Sequence, residues 1–173
     1  MGVGEYAAMF WQAVLILMIA TTVEAAEFTG SWKGTLTGAD GSAAEVQIEF
    51  SPQGFPLYSY ANNKGVVRQA ELSHVGQTVE YVPAGGGVQR LVVKTLEKGA
   101  NRLSVGILFS FERASQGYLQ QKQESALFEY ALAPEGLRLR VTTQSTSHMG
   151  DKDMIVGGHP NSAVAEGLLQ KVH

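Results

Sequence analysis

Residues 102–113 read RLSVGILFSFER, and every second position is apolar: Leu103, Val105, Ile107, Phe109 and Phe111. Successive side chains of an extended strand point to opposite faces, so this run places five apolar groups on one face. A helix would scatter the same residues around its axis. The period recurs along the chain. EVQIEF (45–50) sets Val46, Ile48 and Phe50 against Glu45, Gln47 and Glu49. ALFEYAL (126–132) aligns Phe128, Tyr130 and Leu132, and LRLRV (137–141) sets Leu137, Leu139 and Val141 against Arg138 and Arg140. Strands with one wet and one packed face pair antiparallel, because strands buried on both faces read as continuous apolar runs.

Turn signals separate these runs at short intervals: GADGS (38–42), SPQGFP (51–56), NNKG (62–65), HVGQ (74–77), PAGGG (83–87), EKGAN (97–101), ASQG (114–117) and APEG (133–136). They delimit nine strand segments, 28–37, 43–51, 57–62, 65–74, 77–82, 88–97, 101–113, 117–132 and 136–146. The stretch 145–160 is polar and glycine-bearing and reads as a loop. The segment NSAVAEGLLQKVH that follows has a capping residue before Ala163, Val164, Leu168, Leu169 and Val172, which predicts a short helix packed on the sheet. The expected fold is all-β: an antiparallel up-and-down barrel of about eight to nine strands over 26–146, with loop and helix over 147–173. A two-sheet β-sandwich is the alternative.

The first 25 residues decide the compartment. An apolar stretch from Ala7 to Ala20, broken only by Gln12, precedes Val23-Glu24-Ala25, which suits signal-peptidase cleavage after Ala25. No base precedes the stretch, and an uncleaved anchor is the competing reading. Cleavage removes Glu5 and Glu24 from the 16 acidic residues and none of the 13 bases, so 14 acids face 13 bases and the net charge becomes −1. Near-neutrality without a basic run argues against nucleic acid as partner. The chain has no cysteine, which excludes disulfides, thiolate catalysis and cysteine-held metals. These features together predict a periplasmic or secreted protein of a bacterial envelope, with no membrane span left after cleavage and its protein partner, if any, unspecified.

Gly30-Ser31-Trp32 lies on the first strand, just after the export segment, and an antiparallel meander follows. This arrangement resembles the calycin group, the lipocalins and their barrel relatives. The resemblance implies that Trp32 plugs one end of a barrel beside Gly30, with an arginine of the last strand, Arg140 or Arg138, packed across it. It also implies a lumen that holds a small apolar molecule. The residues expected to line that lumen are Val46, Ile48, Phe50, Tyr58, Tyr60, Val105, Ile107, Phe109, Phe128, Tyr130 and Leu139. The same side chains would equally form a dry core, which leaves an envelope interaction protein as the alternative and a calycin-like isomerase or cyclase as a third reading.

Catalytic signals are weak. His148, Asp151, Asp153 and His159 lie within twelve residues, yet no metal-ligand motif surrounds them, so no metal and no cofactor is expected. His74, Ser110 and Glu112 could be assembled by folding, but no nucleophile elbow accompanies them, and no catalytic residue is assigned.

Overall fold

The computed structural model describes residues 27–115, 118–151, 155–157 and 161–172; the expected export segment 1–25 lies outside them. The chain forms β1 (Gly30–Gly38), β2 (Ala43–Phe50), β3 (Leu57–Ala61), β4 (Val67–Glu71), β5 (Thr78–Tyr81), β6 (Val88–Lys98), β7 (Arg102–Ser115), β8 (Tyr118–Ala133), β9 (Gly136–Asp151), β10 (Ile155–Gly157) and β11 (Asn161–Val172). All are paired antiparallel. The first nine coincide, within a few residues, with the nine segments that alternation and turn chemistry mark out.

Hydrogen bonds order the main sheet β2-β1-β11-β9-β8-β7-β6-β5, with β10 on β9, while β3 and β4 form a separate two-stranded sheet. The expected closed barrel is therefore not the hydrogen-bonded arrangement: the ladder stops at β2 and at β5. The β3–β4 hairpin stands between these edges, held by single pairs. Phe50 bridges Pro56, while the Leu72 amide donates to Pro56 O at 2.9 Å and so extends the hairpin itself. No further pair joins β2 to β3, so this bridge does not extend into a ladder. On the other side the hairpin meets β5 through side chains: the Tyr58 and Tyr81 hydroxyls lie 3.0 Å apart, and Gln77 Nε2 donates to Glu71 O. The sandwich alternative fares no better as two matched layers, since one sheet has two strands and both sheets feed a single core.

The C-terminal segment departs most from expectation. Residues 161–172 are not a helix but β11, inserted between β1 and β9 and paired along both. Likewise the expected loop after 145 is the end of β9 followed by β10. Helical spacing of Val164, Leu168 and Leu169 is a local signal, and an isolated three-turn helix is marginal in water. Two long strands that would otherwise be unpaired edges outweigh it. Gly167 makes the insertion possible. A Cβ at that position would lie 2.1 Å from Thr35 O, and one at Gly34 would lie 2.5 Å from Leu168 O. Glycine thus lets β1 and β11 lie closely side by side, with Leu169 fully buried beneath them.

The core is one cluster. Phe28, Trp32, Leu36, Phe50, Leu72, Val79, Leu91, Val93, Leu103, Val105, Tyr130, Leu137, Leu139 and Leu169 are all buried. Phe50 of β2 meets Tyr130 of β8 edge-on at 5.3 Å and Phe28 at 5.6 Å. Strands far apart in the ladder therefore touch across the interior, so the sheet curls strongly around its inner face, as right-handed strand twist favours.

Gly167→Ala separates the strand from the helix sharply. In a helix interior the change would stabilise by about 1 kcal/mol. In β11 it forces an overpacked contact and should cost ~1–3 kcal/mol, read from urea unfolding midpoints beside Leu168→Ala on the outer face, which should cost less.

Candidate functional site

Antiparallel connections alternate between two ends of the curled sheet. At one end lie the turns after β2, β6 and β8, together with Phe28 and Thr29. This end is closed. Trp32 is buried there and its indole Nε1 donates to Thr29 O at 3.2 Å. Lys171 Nζ sits 5.6 Å above the indole ring and 3.3 Å from Thr29 Oγ1. Lys98 lies over the Phe55 ring at 4.3 Å and donates to Gln53 O. Gly30, at φ +73°, adopts the left-handed conformation at the start of β1 that only glycine takes without cost.

Arg140 does not pack across Trp32, contrary to what the resemblance implies. Leu139 points into the core, so strand alternation sends Arg138 and Arg140 outward. Arg140 pairs instead with Glu166 at 3.2 Å and Glu129 at 3.9 Å on the outer face. The cation over the tryptophan is Lys171, which the helical reading of the tail concealed.

The eleven lumen candidates converge on the single interior cluster, at two depths. Phe50, Val105, Tyr130 and Leu139 are buried in its packed part. Val46, Ile48, Tyr58, Tyr60, Ile107, Phe109 and Phe128 are half-buried around it. The half-buried group lies on the edge strand β2, on β3, and toward the second end of the sheet on β7 and β8. Tyr81 of β5 joins it: its hydroxyl is 3.0 Å from that of Tyr58, and its ring is 4.8 Å from that of Tyr60. Tyr58 and Tyr60 stack at 5.9 Å.

The opposite wall of this second end is polar. Phe109 faces Glu124, which faces Ser145; Phe111 faces Lys122, which faces Ser147. Residues directly opposite in a ladder share a face, so Glu124 and Lys122 point to the inner side, where they pair at 3.0 Å. Sequence reasoning places no charge on the inner face, although the alternation through Lys122, Glu124, Ala126, Phe128 and Tyr130 carries that signal.

Other candidates are not brought together. Ser110 Oγ is 3.5 Å from Arg90 O and His74 Nδ1 is 3.5 Å from Ser73 Oγ, so no hydrogen bond links Ser110, His74 and Glu112. Asp153 and His159 lie outside the described residues; the backbone of β9 carries His148 and Asp151. Among the described residues no cluster of three metal-ligating side chains occurs. No helix among them is long and apolar enough to cross a membrane.

Comparison with known protein families, with curated proteins and with solved structures finds no significant match to this chain.

Burial raises the Tyr130 phenol above the ordinary value of 10.0. Burial, and then the hydrogen bond to Tyr81, raise that of Tyr58. The folded state keeps these protons where the unfolded chain would release them, so their contribution to stability is complete below the ordinary value of 10.0 and is lost as pH rises above it. Unfolding free energy should hold level up to that point and then fall. In Tyr130→Phe the fall should be shallower, with phenolate absorbance reporting which tyrosines titrate before unfolding.

Proposed function

We propose that the protein binds a small amphiphilic molecule at the half-open end of its curled sheet. The observation that carries this reading is the graded burial of the inner face. Apolar side chains are sealed at the Trp32 end and half-exposed toward the other, where β8 carries an inward Lys122–Glu124 pair. Pockets that take small molecules combine apolar and aromatic walls with a few convergent polar groups. Tyr58, Tyr60, Phe109 and Ile107 would receive the apolar body, and Lys122 or Glu124 the polar group. The protein acts as a carrier or sensor. The likeness to calycins remains a proposal resting on Gly30, Trp32 and the meander, with the β3–β4 hairpin completing a barrel-like wall without a ladder. So does export to the periplasm or medium after removal of residues 1–25.

One observation favours a second reading. Leu91, Val93, Leu137 and Leu169 have no exposed surface, so the floor is filled and no ligand passes deep into the interior. An envelope interaction protein with a solid core would look the same there.

Native mass spectrometry of the protein from its own cells, before and after organic extraction, separates the two. A removable mass excess is expected. It should fall by about tenfold in Tyr60→Ala and Phe109→Ala, and should be unaffected in Glu45→Gln on the outer face. An unliganded mass in both samples would leave the solid-core reading. The same spectra give the N-terminus of the mature chain.

A further inference from the structure

The outer face of the sheet carries a groove of about 920 Å³ that runs across β6, β7, β8, β9 and β11. Two hydrogen-bonded rows cross its floor. In one, Glu97 of β6 faces Ser104 of β7, which faces Glu129 of β8. In the next, Arg102 of β7 faces Ala131 of β8, which faces Arg138 of β9. All six residues line the groove. Two acids flank a serine in one row, and two arginines flank an alanine in the other.

The small central residues matter as much as the charges. Strands lie about 4.8 Å apart, so Arg102 and Arg138 spring from backbones about 10 Å apart, with only a methyl group between them. Long guanidinium side chains can converge over that methyl on one anion, each offering paired donors. Glu97 and Glu129 are disposed in the same way around Ser104. The rows are two residues apart along each strand, about 7 Å. Negative and positive recognition points are therefore set side by side in one groove.

The existing ion pairs leave these groups available. Arg138 pairs with Glu135 and Glu129 approaches Arg140 at 3.9 Å, both on exposed surface, where such pairs contribute little and exchange readily. Arg102 and Glu97 make no ion pair among the described residues.

From this geometry we infer that the outer groove is a binding site for a small zwitterion, its phosphate or carboxylate held between Arg102 and Arg138 and its ammonium between Glu97 and Glu129. The site is on the face opposite the tyrosine-lined end and does not depend on a ligand there.

Titration calorimetry on the folded protein tests it with phosphoethanolamine and with glycylglycine, against inorganic phosphate and ethanolamine alone. At least one zwitterion should bind at least about tenfold more tightly than either single-charge probe. The probe that binds distinguishes a phosphate-bearing head group from a peptide-like carboxylate. Arg102→Gln and Glu97→Gln should each weaken it by about tenfold. Ala131→Leu, which keeps every charge but fills the space between the arginines, should abolish it. Circular dichroism and urea midpoints matching the unmodified protein would show that these exposed variants fold. No saturable heat up to about 20 mM of either zwitterion would overturn the site. So would equal affinity for phosphate alone, or indifference to Arg102→Gln and Ala131→Leu in folded variants.

Discussion

The close pairing of β1 and β11 is the contact on which the rest of the molecule depends. β11 closes the gap between β1 and β9 in the ladder, and Gly34 and Gly167 let it lie against β1 where a Cβ would meet a carbonyl oxygen. Their backbones approach to a distance no Cβ could share, and Leu169 fills the interior beneath them. On one side the seam leads through β1 to Trp32 and Phe50. On the other it leads through β9 to Leu137, Leu139 and, across the ladder, Tyr130. Phe50 and Tyr130 then meet inside. Without the seam, β1 with β2 would be a detached hairpin, and two-stranded hairpins are marginal in water.

The curl also decides where chemistry can occur. Tight packing at the Trp32 end uses leucine, valine and phenylalanine with no exposed surface to spare. At the other end the same inner face passes into stacked tyrosines and then into Lys122 and Glu124. One face thus changes from core to contact surface along its length. The outer face makes a second, different surface, because each inward apolar residue of β7, β8 and β9 alternates with an outward polar or small one. Leu139 inside and Arg138 and Arg140 outside are two expressions of one pleat.

Much of the fold was legible because its signals are local. Period-two runs such as 102–113 and glycine-bearing turns such as PAGGG depend only on neighbours in sequence, and nine strands follow from them. Three things were not legible. Residues 161–172 fit a helix by spacing, and only the demand of two distant unpaired strands reveals β11. Whether the ladder closes depends on how β2 and β5 meet β3 and β4, and no periodicity describes that meeting. The inward charge at Glu124 was obscured because GYLQQKQESA reads as uniformly polar, and only its register with Phe109 and Phe111 assigns the face. The eleven side chains expected at the lumen lie in or against one core cluster, whereas Arg140, expected across Trp32, lies on the outer side of its strand.

The register of β1 on β11 also bears on when the molecule can come into being. Ser31 lies opposite Val172, so β1 finds one of its two neighbours only in β11, far along the chain. Contacts of such sequence separation carry a large loop-closure cost and form late. β5 to β8 can collapse as a meander while β1 and β2 wait, since β11, which carries them into the main sheet, follows later in the chain. Until β11 joins β1, the inner face of that meander lacks Trp32, Phe50 and Leu169, the core residues that β1, β2 and β11 supply.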